Sequence, residues 1–262
     1  ILTSWNGLML KGLVDSYRYL EEEDFLNLGF KNADFILKNL VKKDGGLFHN
    51  HKNGKSTING YLEDYASVID SFIALYEVTF DEKWLTEAQK LTDYCIKNFF
   101  DEKSGMLFFT SKQDDIIIRR TIETGDNVIP ASNSIMAQNL LRLSKLFPET
   151  DYETIALQML KNVQENFEKN AHGHANWLQL ALLVEQPLYE VAIVGQDFKK
   201  MALQIRKNYL PNTILTGAAK EGNIKLLTDR YVANKTLAYV CLQGACKLPV
   251  TQSKEVLTQL QY

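Results

Sequence analysis

The chain has 262 residues, of which 45% are hydrophobic, 23% charged and 11% aromatic, with 14 glycines, 5 prolines and a formal net charge of −3. This composition excludes disordered and collagen-like chains, and no apolar run reaches the roughly 20 residues of a membrane helix. The small net charge leaves no basic footprint for nucleic acid, and 3 cysteines do not make a secreted disulfide framework. We therefore expect a cytoplasmic protein with no membrane or nucleic-acid partner. The chain opens on Ile1 without a signal segment and is read as part of a longer parent.

A first helix is predicted from Trp5 to Leu20, with Ser4 as its N-cap. Leu26, Phe30, Ala33, Leu37 and Leu40 draw the apolar stripe of a second. A third carries Leu62, Tyr65, Ala66, Ile69, Phe72, Ile73 and Tyr76. A fourth, capped by Asp81, carries Trp84, Leu85, Ala88, Leu91, Cys95 and Phe99. A fifth follows Pro130, a sixth runs from Tyr152 to Phe167, and a seventh spans Ala175 to Val184.

Short links follow the first, third and fifth helices, and long patterned links follow the second and fourth. Asn53-Gly54 between two short extended runs predicts a β-hairpin. The second long link ends on Ile116-Ile117-Ile118, read as extended. Gly-x-Leu-Phe recurs about 60 residues apart, at Gly45 and Gly105. The pattern reads as a repeat of inner helix, short turn, outer helix and long loop. Such hairpins build an α/α toroid, but the chain holds too few to close a six-hairpin barrel.

After Pro187 the pattern changes. Tyr189–Val194, a helix over Asp197–Tyr209, Thr213–Thr216 and Leu237–Leu242 suggest a small α/β subdomain with a parallel strand pair. A short helix is predicted from Ser253 to Leu260. The expected fold is mainly α: an incomplete α/α toroid over residues 1–186 and an α/β subdomain over 187–262.

Polar and aromatic residues gather where the inner helices begin. The segments are Trp5-Asn6, Glu63-Asp64-Tyr65, Asp126 with Ser132-Asn133, and His172-Gly173-His174. In a hairpin repeat these starts share one end, along with the loops that carry His49, His51 and Arg119. Platforms, amides and carboxylates together suit a polyhydroxylated ligand such as a sugar. Each residue also has a plainer reading. Ser, Asp and Asn at helix starts are usually caps, and Tyr65 and Trp177 are partly packing residues. His172 and His174 lack a third ligand at clear spacing, so no metal site is expected, and we expect no cofactor. Cys95 falls on a core stripe. Cys241 and Cys246 are read first as unpaired structural thiols, with a disulfide across Gly244 and a ligand or redox role as alternatives.

No nucleophile elbow, P-loop, dinucleotide fingerprint or zinc-protease motif is present. Several segments do resemble a family. They are Leu2-Thr3-Ser4-Trp5-Asn6-Gly7-Leu8-Met9, Gly60-Tyr61-Leu62-Glu63-Asp64-Tyr65-Ala66, Leu75-Tyr76-Glu77-Val78-Thr79 with Trp84-Leu85, and Pro130-Ala131-Ser132-Asn133-Ser134. The tail adds Tyr209-Leu210-Pro211-Asn212 and Tyr239-Val240-Cys241 with Cys246 and Pro249. Together they resemble the C-terminal half of a thioredoxin-domain-containing, spermatogenesis-associated-protein-like family. The resemblance implies a parent with an upstream thioredoxin-like domain. It also implies an α/α barrel similar to those of N-acylglucosamine 2-epimerases and six-hairpin glycosidases. Asp126-Asn127-Val128 departs from the family's more usual Asp-Gly-Ala, and His-Gly-His is not a family hallmark.

Two functions compete. In a carbohydrate-active enzyme, His174 and His49 are the pair for epimerisation, which needs an acid and a base on opposite faces. For hydrolysis, Asp64 and Asp126 are the carboxylates, with Glu63 and Glu123 behind them. Trp5 and Tyr65 would stack on the sugar ring, while Asn6, Glu63, Arg119, Ser132 and Asn133 would fix its hydroxyls. The alternative is a non-catalytic binding or redox-partner module working with the upstream thioredoxin-like domain.

Overall fold

The computed structural model describes residues 1–115 and 118–260. It divides into two compact units, residues 1–143 with 151–181, and residues 144–150 with 182–262. The chain is mainly helical, at 52%, and among the described residues no helix is long and apolar enough to cross a membrane.

The first seven helices run in chain order as α1 (Thr3–Leu20), α2 (Glu23–Phe35), α3 (Leu62–Thr79), α4 (Lys83–Phe99), α5 (Ser132–Leu146), α6 (Tyr152–Val163) and α7 (Ala175–Glu185), with the last residues of α5 and α7 falling in the second unit. The odd-numbered helices form an inner row. Asn139 of α5 donates to the Ala66 carbonyl of α3 at 2.9 Å. Gln138 of α5 donates to the Asn176 carbonyl of α7 at 2.8 Å. The even-numbered helices form an outer row: Phe30 of α2 stacks on Trp84 of α4 at 6.4 Å, and Tyr152 of α6 donates to Asp93 of α4. Helix α3 is central, and Tyr65, Ile69, Phe72 and Tyr76 on it are fully buried. A helix buried on nearly every side needs small residues where a neighbour crosses closely. Gly7 of α1 supplies one, since a Cβ there would sit 2.7 Å from the backbone carbon of Ser67.

Local details refine the sequence reading. Ser4 does not cap α1: the cap position is Leu2, without a side-chain cap bond. The free amide of Ser4 is instead satisfied from α3, as described below. Helix α2 continues into one π turn, Ile36–Leu40. Asn53 and Gly54, both with positive φ, close the antiparallel hairpin of β1 (Phe48–Lys52) and β2 (Lys55–Asn59). The second long link carries the short pair β3 (Phe100–Asp101) and β4 (Met106–Leu107). Ile116 and Ile117 lie outside the described residues.

The second unit holds a four-stranded sheet in the order β6-β5-β7-β8. Strand β5 (Tyr189–Val194) is buried along its whole length. It pairs in parallel with β6 (Thr213–Ala218) through α8 (Phe198–Arg206). It pairs antiparallel with β7 (Leu237–Leu242), which turns at Gln243-Gly244 into β8 (Ala245–Cys246). Helix α9 (Ser253–Gln259) packs on α8 and β7. The expectation of unpaired thiols is corrected here. Cys241 and Cys246 face each other across β7 and β8, with Cα atoms 3.9 Å apart, and form a disulfide. The hairpin register opposes residues five apart directly, which linear spacing does not reveal. Cys95 is a free, buried thiol.

The close crossing of α1 and α3 gives a test. Gly7→Ala should destabilise the protein by about 1–3 kcal/mol through overpacking, read as a lower urea midpoint. Gly12→Ala in the same helix, where a Cβ meets nothing within 4 Å, should be neutral or stabilising.

Candidate functional site

The site begins with one carboxylate. Tyr61 is the extended N-cap of α3, and Asp64 at the third helical position turns back to accept its amide at 2.9 Å. The other Asp64 oxygen accepts the Ser4 amide at 2.8 Å, which supplies α1 with its missing cap. His49 of β1 places Nδ1 2.9 Å from Asp64 Oδ2. Asp64 is fully buried. Burial pushes its carboxyl up to about 6, against the opposing pull of His49 and of the Tyr61 and Ser4 amides.

Around this carboxylate stand further groups. Glu63 is half-buried, and its carboxyl is raised by burial and by the charge of Glu123, with His49 opposing. Glu123 accepts the Ser132 amide at 2.9 Å and the Ser132 hydroxyl at 2.7 Å through a single oxygen. The Tyr61 ring stacks on Phe109 at 5.2 Å and lies 4.8 Å from the His49 ring. Trp5, one residue after Ser4, is 67% exposed. With Nδ1 committed to a carboxylate, Nε2 of His49 is the ring atom left for acid–base work. Glu63, its carboxyl raised by burial, is a second titratable group beside it. His49, Glu63 and Asp64 each bring a ligand atom within 4.8 Å of the others. Both Asp64 oxygens already accept hydrogen bonds.

The other residues singled out in the sequence are placed differently. Asp126 accepts the Ala131 amide and Ser134 hydroxyl on one oxygen, at 2.8 and 2.9 Å, and the Asn176 amide on the other at 2.8 Å. It thereby caps α5 and α7 together. His174 is buried, its Nδ1 2.9 Å from the Asn170 carbonyl oxygen, with Phe167 beside it. Asn133 accepts the Leu107 amide and donates to the Leu107 and Glu123 carbonyls, all at 2.9 Å, and so acts as a strand partner for β4. Ser132 is buried on Glu123. Tyr65 is fully buried, its hydroxyl accepting the Leu47 amide at 2.8 Å and its ring stacked on Tyr94. Asn6 donates to the Leu2 carbonyl at 2.7 Å. Arg119 is exposed. The neighbouring Arg120 is the one built in, donating to the Thr110 carbonyl and lying 4.1 Å over Phe108.

The structure thus gathers Glu63 and Asp64 with His49 and Glu123, and engages Asp126, His174, Tyr65 and Asn133 in folding contacts. Tyr61 and Phe109 were missed. Tyr61 stood inside a segment already singled out, whereas Phe109 lies in an irregular loop with no periodicity to mark it. A separate polar cavity of about 820 Å³ in the second unit, bordered by Asp197, Lys200, Lys235 and Lys254, contains none of these groups.

The raised Asp64 pKa has a definite sign. The ordinary value is 3.8 and the folded value about 6, so the folded state binds this proton more tightly. The resulting stabilisation is full below about pH 4 and is lost as pH rises through about 6. Urea unfolding of the wild type should therefore lose stability relative to Asp64→Asn over that window. Parallel profiles for the two proteins would contradict the assignment.

No family model matches the chain. It is 26% identical over a 277-position alignment to human spermatogenesis-associated protein 20, covering 98% of this chain and 35% of that protein. The rat protein of the same name is 25% identical with the same coverage. An uncharacterized protein of Caenorhabditis elegans is 30% identical over 172 residues, covering 63% of this chain and 23% of that protein. The chain therefore spans about a third of the length of the mammalian relatives it matches. Two solved structures share the fold. A GH76 alpha-mannanase from Bacteroides thetaiotaomicron aligns with a TM-score of 0.52 at 17% identity, over 63% of this chain and 44% of that one. A cellobiose 2-epimerase from Bacillus thermoamylovorans aligns with a TM-score of 0.51 at 14% identity, over 61% and 43%. The helical hairpins thus follow the six-hairpin glycosidase and epimerase fold. Over nearly its whole length the chain is similar to the C-terminal part of spermatogenesis-associated protein 20, the family that its motifs resemble.

Proposed function

We propose that the helical portion, residues 1–186, binds a sugar at the N-terminal end of α3 and moves protons on it, in an epimerase- or isomerase-like reaction. One observation carries the reading. A buried carboxylate orients His49, while Glu63, with its raised pKa, and Glu123 stand beside it and the Tyr61–Phe109 stack lies at its edge. In this reading Nε2 of His49 and the carboxyl of Glu63 are the acid–base couple. Trp5 offers an exposed face for a sugar ring. Asp64 is a positioning residue. The hydrolytic pair Asp64 and Asp126 fits less well, because Asp126 already accepts three hydrogen bonds from helix starts. The fold shared with a mannanase and an epimerase supports a sugar as the ligand class.

A second reading draws on the short coverage of the relatives, 35% of their length. Here the same end binds without turnover and works with an upstream thioredoxin-like domain of the parent chain.

The test is a panel of free and linked sugars, offered to the full-length protein and followed by NMR. Epimerised or isomerised product is expected. His49→Asn and Glu63→Gln should each lower turnover by about a hundredfold or more, with Trp5→Ala weakening binding. Binding without turnover would favour the second reading. Hydrolysis lost on Glu123→Gln would replace proton shuttling by a Glu63–Glu123 mechanism. No binding and no product with any sugar would end the carbohydrate reading.

A further inference from the structure

The second unit contains a chemical arrangement unrelated to the sugar site. The Cys241–Cys246 disulfide bridges β7 and β8 next to their turn. Cys241 is buried, while Cys246 is exposed. The guanidinium of Arg230 reaches both sulfurs: Nη1 lies 3.3 Å from Cys241 Sγ and Nη2 3.1 Å from Cys246 Sγ. Arg230 is itself held in place. Its guanidinium lies 4.9 Å from the Tyr239 ring centre, and the Tyr239 hydroxyl donates to its carbonyl at 3.1 Å. Burial lowers its pKa, and Tyr239 and Glu190 are the groups whose charges oppose that shift. The ordinary arginine value is so high that the cation persists near neutrality.

A neutral disulfide gains little from a cation. Two thiolates gain a great deal, because a forked cation pairs with both at once. The placement of Arg230 therefore favours the reduced, ionised state of the pair over the bonded one.

We propose that Cys241–Cys246 is a thiol–disulfide exchange site that accepts electrons from a dithiol, with Arg230 as the positioning residue that holds the thiolates released. A thiolate of the dithiol attacks the exposed Cys246 Sγ and forms a mixed disulfide. The Cys241–Cys246 bond breaks, and its electron pair leaves on Cys241 Sγ beside Nη1. The second thiolate of the dithiol then attacks the first dithiol sulfur, the one bonded to Cys246 Sγ in the mixed disulfide. That step closes the dithiol into a disulfide and releases Cys246 as a thiolate beside Nη2. The site gains two electrons, the dithiol loses two, and the two dithiol protons pass to solvent or to the released sulfurs. The exposed sulfur is thus the entry point and the buried one the leaving group. No part of the sugar site takes part, so failure of either reading leaves the other standing.

The experiment uses the full-length protein with its other cysteines replaced by serine, equilibrated in mixtures of reduced and oxidised dithiothreitol. After acid quench and alkylation, mass spectrometry reads the fraction reduced. The wild type is expected to be reduced at a higher potential than Arg230→Met. The exchange constant should shift about tenfold towards the disulfide in the variant, or about 30 mV for this two-electron couple. Arg230→Lys, a cation without the fork, should fall between them. In the reduced proteins, the pH midpoint for iodoacetamide alkylation of Cys246 should be higher in Arg230→Met than in the wild type. A purely structural arginine would change the melting temperature without moving that midpoint. Equal exchange constants and equal midpoints in all three proteins would overturn the proposal. So would free alkylation of both cysteines in protein purified without reductant. If Arg230→Met does not fold, the comparison of wild type with Arg230→Lys decides by the same two readouts.

Discussion

The buried carboxylate of Asp64 is the constraint on which the helical unit depends. A charge-bearing group with no solvent contact needs donors on every side, and Asp64 obtains them from its own helix start and from two segments farther away in sequence. It caps its own helix through Tyr61, caps α1 through Ser4 and orients His49 from β1. Removing it would leave two helix-start amides and one imidazole without their acceptor. The same carboxylate therefore fixes the relative position of two inner helices and presents the imidazole that the proposed chemistry uses. Stability and candidate function rest here on a single side chain.

The remaining inner helices repeat the device with different residues. Asp126 joins the starts of α5 and α7, and Asn133 holds β4 against α5. At the far end of α3, the buried Glu77 meets Arg18 of α1 at 2.7 Å and Arg142 of α5 at 3.9 Å. Helix starts leave unsatisfied amides, and a row of adjacent starts can share acceptors between helices. That is why polar residues collect at one end of the inner row. It also explains why most of them are engaged in folding contacts, while the α3 start retains groups with capacity to spare.

Hydrophobic periodicity and loop chemistry made the architecture legible in the sequence. The helices over 62–79 and 83–99, the Asn53-Gly54 turn and the strands 189–194 and 237–242 follow from local patterns of side-chain size and backbone preference. The candidate site was half legible. Glu63 and Asp64 stood out because two acids open a helix, and His49 because its loop lies at the end where the inner helices begin. Asp126, His174 and Tyr65 had equal claims on composition, and nothing local separates a carboxylate that caps two helices from one that faces a ligand.

The sequence by itself therefore determined the secondary structure, the hairpin repeat and the set of polar residues available at the helix starts. These depend on residues within a turn or two of one another. The tertiary structure decided which donors each polar group meets. It gave Asp64 the amide of Ser4, 60 positions away, spent Asp126 on Asn176, and set Arg230 across two sulfurs that face each other only because β7 and β8 pair in one register. A hydrogen bond needs its partners within about 3 Å, and for residues far apart in the chain only the packed fold brings them that close.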